Sequence, residues 1–253
     1  MRSSRLIAPL AAIALAAAPA IAFAQTDTET ETVQRTLRFP QNGTLALKNF
    51  SGDVRITASG GSDVVIKAVR RATRERLDHI TLEITESASG IRIEANRRDP
   101  DWTERNDNVV ETEFDIEVPA AAKLDVHAFS SDVTVRGVTG DQTLQTFSGD
   151  IVVEGARGAL HVKSFNGNID ADLRGAGNEP DIQAETFSGR IEARLADNAR
   201  GRLEFASFSG SFESDLALAN RTSNRRSVRA DLPGGAGDTL RFKTFSGQLR
   251  IRR

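Results

Sequence analysis

Five acidic residues in the C-terminal half of the chain are the first candidates for chemistry. Two neighbouring carboxylates can hydrolyse a glycosidic bond, one as general acid and the other as base or nucleophile. We call the set the acidic stripe, and it consists of Asp170, Asp172, Glu192, Glu213 and Asp215. Arginines alternate with these acids at Arg190, Arg194 and Arg252, which instead favours ion pairs across neighbouring strands that are individually weak. A polysaccharide-cleaving enzyme is therefore an alternative, and an ordinary charged surface is the favoured interpretation.

Metal sites and nucleophiles find little support in the sequence. None of His79, His127 and His161 has a second histidine or a cysteine at metal-ligand spacing, and the chain has no cysteine. Serine recurs in an F-S-G triplet, but a repeated serine has no base or orienting acid beside it. We therefore expect no catalytic residue, no metal and no cofactor.

Calcium is tested separately, because Gly-Asp repeats bind this ion in some β-rolls. The position after the triplet is Asp53, Asp132, Asp150, Asn168, Arg190, Ser211 or Gln248. Arg190 cannot be a ligand, and the short glycine-rich period of calcium-binding rolls is missing. A calcium ladder is therefore not expected.

The F-S-G triplet itself is the unit of a repeat. Its copies start at Phe50, Phe129, Phe147, Phe165, Phe187, Phe208 and Phe245, and neighbouring copies in the central run start 18 to 22 residues apart. Such a period indicates a stacked repeat. The gaps before Phe129 and Phe245 are near multiples of the unit, so we expect degenerate repeats there.

Apolar and polar residues alternate on both sides of the triplet. Four positions after the phenylalanine, every copy is apolar: Val54, Val133, Ile151, Ile169, Ile191, Phe212 and Leu249. Alternation with a period of two predicts a short strand on each side of the triplet, with one face of each strand buried. The prediction is an all-β fold, a β-solenoid or β-helix-like stack of two-stranded rungs of about 18–22 residues.

The triplet then marks the corner of each rung. Its third position is glycine in six copies, namely Gly52, Gly149, Gly167, Gly189, Gly210 and Gly247. Glycine adopts positive φ without a Cβ penalty, which suits a tight corner. A serine or threonine precedes the phenylalanine in five copies, which predicts a ladder of hydroxyl groups inside the bend.

The phenylalanine column has two possible placements. Alternation points it outward if the strand runs straight, whereas a bend at the glycine would swing it inside. We expect it to be buried, because a row of exposed phenylalanines is an adhesive hazard for a soluble protein. An exposed row would be a binding surface.

The N-terminus has the features of a secretory signal peptide over residues 1–24. Arg2 and Arg5 precede an apolar run, and Ala22-Phe23-Ala24 offers a cleavage site. We expect an exported protein that is periplasmic, extracellular or on the cell surface, with no transmembrane segment in the mature chain. Residues 25–33 are predicted to be a flexible leader and 34–253 a single β-repeat domain, of which 34–119 is a less regular first half.

The charge of the chain argues against a nucleic-acid partner. Loss of the signal peptide removes two arginines and no acid, which makes the formal net charge of −2 more negative still. Basic clusters occur at Arg70, Arg71, Arg74 and Arg76 and at Arg221, Arg225, Arg226 and Arg229. They are not interleaved with exposed aromatic residues, so we expect solvated charges. The arginines at the C-terminus are expected to protect the last strand edge.

The phrases "NFSGDVRI", "AFSSDVTVRG", "TFSGDIVVEG" and "SFNGNIDADL" together resemble the bacterial putative-adhesin β-strand repeat family, an exported domain of unknown function. The resemblance covers most of residues 34–253. It implies a β-solenoid-like fold and carries no catalytic residues. We therefore predict a non-enzymatic envelope scaffold or adhesin-like interaction module. Its partner would be an envelope protein, a glycan, or another copy bound through an end rung.

Overall fold

The computed structural model describes residues 28–102, 108–175 and 181–253. The predicted signal peptide lies outside these residues. The strands and the one helix of the N-terminal part are β1 (Glu29–Arg38), β2 (Thr44–Ser51), β3 (Val54–Ser59), β4 (Asp63–Ala72), α1 (Arg74–His79), β5 (Ile80–Ser87), β6 (Gly90–Arg98) and β7 (Glu111–Pro119).

The central part contains only short strands that follow the repeat. They are β8 (Lys123–Ser130), β9 (Val133–Arg136), β10 (Gln142–Ser148), β11 (Ile151–Glu154), β12 (Leu160–Asn166), β13 (Ile169–Asp172), β14 (Ile182–Ser188) and β15 (Ile191–Arg194). The C-terminal part contains β16 (Arg202–Ser207), β17 (Ser211–Ser214), β18 (Ala219–Ser223), β19 (Ser227–Asp231), β20 (Thr239–Ser246) and β21 (Gln248–Arg252).

Two sheets face each other across the core. Sheet A has the order β1-β4-β7-β3-β9-β11-β13-β15-β21-β17, and sheet B has the order β18-β19-β16-β20-β14-β12-β10-β8-β2-β6-β5. Each repeat contributes one strand to sheet B and the next to sheet A, and these two strands are one rung. The predicted all-β class and the β-solenoid architecture are confirmed.

Neighbouring rungs pair in parallel and in register, so each apolar column continues through the stack. Leu144 of β10 lies opposite Val162 of β12, and Ile151 of β11 lies opposite Ile169 of β13. All four side chains are buried. One rung cannot bury enough apolar surface to offset its ordering entropy, and the shared columns supply the rest.

The rungs do not stack in the order in which they occur in the chain. The C-terminal rung of β20 and β21 lies between the rung of β14 and β15 and the rung of β16 and β17. The expectation that the C-terminal arginines protect the last edge is therefore wrong, because β21 has a partner on each side. Within the described residues, the strand that ends sheet A here is β17.

The two long gaps of the repeat are filled differently. In the first gap, β6 and β7 pair in parallel with β2 and β3, which makes one further rung without the triplet. Beyond it, β5, β4 and β1 pair antiparallel. The second gap contains the antiparallel hairpin of β18 and β19 instead of the expected rung.

The start of the described chain is a strand. β1 begins at Glu29 and pairs with β4, so residues 29–33 belong to sheet A and not to a flexible leader. Arg70 of β4 is buried, which corrects the expectation of a solvated cluster. Its guanidinium donates hydrogen bonds to the Glu31 carboxylate and the Ile80 carbonyl oxygen. No helix among the described residues is long and apolar enough to span a membrane.

Candidate interaction surface

The seven repeat phenylalanines form one continuous stack, which we call the phenylalanine ladder. In spatial order it consists of Phe50, Phe129, Phe147, Phe165, Phe187, Phe245 and Phe208. Adjacent ring centroids are 4.5–4.9 Å apart with interplanar angles of 3–16°. This spacing is that of hydrogen-bonded strands, so the sheet itself sets the stacking distance.

The expectation that this column is buried is wrong, because 41–55% of the surface of each ring residue is exposed. The reason is visible in β10, which runs without a break from Gln142 to Ser148. Thr146 occupies the inward position and is buried, so Phe147 points outward. The alternation therefore continues to the end of the strand, and the bend comes only after the phenylalanine.

The corner glycines are required mainly because neighbouring rungs approach each other closely. A Cβ on Gly167 would lie 2.0 Å from the carbonyl oxygen of Gly149, and a Cβ on Gly149 would lie 2.0 Å from that of Ser131. Gly149 has the predicted positive φ, at 147°, but Gly167 is not in the left-handed region. Contact between backbones is therefore the more general reason for glycine than backbone conformation.

The predicted hydroxyl ladder exists, but most of its members bond to the backbone. Thr146, Ser164 and Thr186 are buried and donate to the carbonyl oxygens of Ser131, Gly149 and Gly167 respectively, over 3.0–3.1 Å. Thr244 instead donates to the Ser207 hydroxyl at 2.9 Å. Each of these bonds satisfies an acceptor at the corner of an adjacent rung.

Thr186→Val is expected to lower the free energy of unfolding by about 1–2 kcal/mol, because it leaves the part-buried Gly167 carbonyl oxygen without this donor at nearly unchanged shape. Thr143→Val makes the same change on the outward face of β10 and is expected to stay within about 0.5 kcal/mol of the wild type. Urea unfolding of the two variants makes the comparison. Equal losses would show that the bond to Gly167 does not matter.

The hairpin of β18 and β19 contacts the end of the ladder at Phe208 through an arginine of its turn. The Arg226 guanidinium carbon lies 4.7 Å from the centroid of the Phe208 ring, and that of Arg221 lies 5.3 Å from the Phe212 ring. A cation over an aromatic face is attracted by the ring quadrupole. These two arginines were expected to be solvated charges, but they contact aromatic rings.

Every residue of the acidic stripe forms an ion pair with an arginine. Every member has a carboxylate oxygen 2.6–3.3 Å from an arginine side-chain nitrogen, in the pairs Asp170–Arg194, Asp172–Arg174, Glu192–Arg194, Glu213–Arg250 and Asp215–Arg252. Two of these partners lie on β21, which the stacking order inserts between β15 and β17. Three of the five pairs join neighbouring rungs as predicted, whereas Asp172–Arg174 and Glu192–Arg194 each lie within one rung.

The electrostatics of Asp172 are also opposite to those of a general acid. The hydrogen bond from the Arg174 side chain holds the pKa of Asp172 below its ordinary value. A glycosidase acid needs a raised pKa so that it carries a proton at neutral pH. Asp172 is therefore suited to an ion pair and not to proton donation.

The histidines have local partners. His127 lies 2.9 Å from an Asp125 carboxylate oxygen and His161 lies 2.9 Å from one of Asp181, while His79 stacks on Trp102. The hydrogen bond with His161 is the main cause of the lowered pKa of Asp181. In the three described segments, no group of three or more His, Asp and Glu side chains is placed to hold a metal ion.

The fold and the ladder define a two-sheet β-solenoid of parallel rungs with an external aromatic stack. The family model for the Toastrack DUF4097 domain matches residues 25–252, and the chain belongs to this family. The resemblance drawn from the repeat phrases is thus confirmed at the level of this domain family of unknown function.

Solved structures that align with most of this chain include the following two. A putative cell adhesion protein from Clostridium sporogenes ATCC 15579 aligns with a TM-score of 0.54 and 10% identity, over 88% of this chain and 99% of that one. A putative adhesin from Bacteroides fragilis NCTC 9343 has a TM-score of 0.38 and 12% identity, over 87% and 97% of the two chains. A search of curated proteins found no match. At these identities the first of the two structures supports the fold alone.

Proposed function

We propose that this protein is an exported, non-enzymatic interaction module of the cell envelope, and that it holds its partner on the phenylalanine ladder. The export step is inferred from the signal peptide over residues 1–24 and the domain from the repeat over 34–253. The observation that carries the proposal is the exposure of all seven rings. Together they present roughly 600 Å² of contiguous apolar surface, which is as large as the largest patch on a typical soluble monomer.

The arrangement of the rings favours one partner chemistry. Sugars stack on aromatic faces, but every ring between the two ends of the ladder has both faces covered by its neighbours. The ring edges remain free. They are apolar and carry the positive part of the ring quadrupole. Apolar side chains of an envelope protein therefore suit the ladder better than a glycan does. A second copy would instead use the open edge of β17, which has β21 as its one partner among the described strands.

A glycan-cleaving activity has no comparable support. Its candidate acids are held in ion pairs, and the pKa of Asp172 is lowered rather than raised. The stripe is better explained as charge pairing within and between rungs, which orders the outer face of sheet A at little energetic gain.

The test is capture of envelope components by immobilised residues 25–253, compared between two variants. The first replaces Phe129, Phe147 and Phe165 by threonine, which has a high strand propensity. We expect it to retain at least tenfold less of the partner that the wild type captures. The matched control replaces Asp170, Glu192 and Glu213 by alanine and is expected to retain as much as the wild type.

Two further measurements address a variant that fails to fold and the identity of the partner. If circular dichroism shows that the threonine variant does not fold, Phe147→Arg replaces a single ring in the interior of the ladder, and the arginine methylene groups still cover the neighbouring rings. Size-exclusion chromatography with light scattering shows whether the partner is another copy. Undiminished capture by folded ladder variants, or loss of capture in the acid control alone, would refute the proposal.

A further inference from the structure

The C-terminal end of the ladder borders an apolar trough of about 550 Å³. One wall consists of the exposed rings of Phe165, Phe187, Phe245 and Phe208, and Ala206 lies in the floor. Lys163, Lys243 and Arg226 line the remaining sides together with Glu185. The volume is within the range of small-molecule sites.

The trough exists because one rung has a small residue where the others have a large one. Two positions before the phenylalanine, on the outward face of sheet B, the other six repeats have Lys48, His127, Gln145, Lys163, Glu185 and Lys243. On β16 the same position is Ala206, which lies between Lys243 of β20 and Ser227 of β19. The missing side chain leaves the hollow beside the last rings.

We propose that this trough binds one fatty-acid anion, that is, a carboxylate with an extended alkyl chain. From Phe165 to Phe208 the wall spans three strand spacings, roughly 14 Å, which matches an extended chain of about twelve carbons. The inference rests on the proposed function only because the ligand would contact rings of the same ladder. It assigns a small ligand to the four rings at one end of the ladder, of which Phe165 alone is also replaced in the capture test.

The charges around the trough suit an anionic head group. The lining contains three cationic side chains and one carboxylate, so it is positive overall. Neither Lys163 nor Lys243 forms an ion pair within the described part of the chain, and Glu185 lies between them in the sheet register. The third cation, the Arg226 guanidinium, lies over the ring of Phe208.

The polar groups of the trough disfavour an extended peptide. Its hydroxyl groups are already committed, since Thr186 donates to the Gly167 carbonyl oxygen and Thr244 to the Ser207 hydroxyl. The strands β14, β20 and β16 have a partner on each side, so their backbones are occupied. The backbone N–H and C=O groups of a bound peptide would find no hydrogen-bond partners here, whereas an alkyl chain has no such groups.

The experiment is calorimetric titration of residues 25–253 with dodecanoate below its micellar concentration. We expect saturable binding of one equivalent. Dodecyltrimethylammonium has the same chain with the opposite charge, and acetate has the head group without the chain. Both are expected to bind at least tenfold more weakly. Absence of saturable dodecanoate binding, or equal binding of the cationic amphiphile, would overturn the proposal.

Two variants and one control variant locate the site. Ala206→Gln fills the trough with a side chain that the repeat already accommodates as Gln145, and it is expected to weaken dodecanoate binding at least tenfold. Gln145→Ala changes the same row outside the trough and is expected to leave binding unchanged. Lys243→Gln is expected to weaken dodecanoate binding about tenfold, the effect of losing one hydrogen bond to a charged group, while binding of uncharged dodecanol is retained. Equal affinity of Ala206→Gln and Gln145→Ala would place any binding elsewhere.

The failures of the two proposals are distinguishable. If the protein captures an envelope component through Phe129, Phe147 and Phe165 but does not bind dodecanoate, the acyl-chain inference alone is wrong. If dodecanoate binds in the trough while the folded ladder variant captures its partner normally, the proposed function alone is wrong. If a peptide with acidic and apolar residues binds in the trough and dodecanoate does not displace it, the trough is a peptide site and the acyl-chain inference is wrong.

Discussion

Gly167→Ala is expected to lower the midpoint of thermal unfolding by about 6–12 °C, although it adds one methyl group. The new Cβ would lie 2.0 Å from the Gly149 carbonyl oxygen, which belongs to the backbone of the neighbouring rung and cannot rotate away. The two rungs must move apart at the corner, where Ser164 donates to the same oxygen. Overpacking of this kind costs about 3 kcal/mol, and each kcal/mol shifts the midpoint by about 2–4 °C in a chain of this size.

The matched control is Gly60→Ala, in the turn between β3 and β4. A Cβ at this position would meet no atom within 4 Å, and neither glycine has the left-handed φ that would itself penalise alanine. We expect the control to stay within about 0.5 kcal/mol of the wild type. Thermal and urea unfolding of both variants isolate the effect of the contact between rungs. Equal stability of the two would show that the close approach at Gly167 is not required.

Glu31→Ala is expected to lower the free energy of unfolding by about 2–3 kcal/mol. Arg70 is only 5% exposed, and Glu31 is the one carboxylate that its guanidinium contacts among the described residues. Removal of one partner leaves a buried charge with an incomplete set of hydrogen bonds, which typically costs about 3–5 kcal/mol. We expect somewhat less than this range, because the Glu31 side chain is partly exposed and solvent already screens the pair.

Glu29→Ala removes a carboxylate from the same strand and is the control. Glu29 pairs with Arg74, whose side chain is 70% exposed, so its loss is expected to cost less than about 0.5 kcal/mol. Hydrogen exchange of the β1 amides should accelerate in Glu31→Ala and not in Glu29→Ala. The double variant Glu31→Ala, Arg70→Met should recover most of the lost stability, because no buried charge remains. Identical behaviour of the two single variants would mean that Arg70 does not depend on Glu31.

The corner of the repeat shows how a correct prediction can rest on an incomplete reason. From the sequence alone, backbone freedom explains the glycine at this corner, and Gly149 does have a positive φ. Gly167 does not, yet it is equally unable to accept a Cβ, because the next rung lies against it. Distance between rungs is a property of the stack, and the sequence of one rung contains no measure of it.

Within the repeat, the alternating sequence is sufficient to locate the strands and to predict which face of each strand is buried. Alternation with a period of two depends on neighbours along the chain, and burial of the apolar parity follows wherever a second sheet covers it. The inward residues Val162 and Ile169 are buried as this argument predicts. The period of the triplet likewise determined that the strands stack as rungs.

The order of the rungs depends on tertiary packing, and this order sets which side chains are neighbours on the surface. All rungs have nearly the same pattern, so the pattern does not distinguish which of them will be neighbours. Insertion of β21 between β15 and β17 brings Arg250 and Arg252 to the acids of β17 and the turn after it, and insertion of β20 places Lys243 beside Ala206. The exposure of Phe147 was decided in the same way, because a strand paired on both sides stays straight to its last residue and keeps the ring outside.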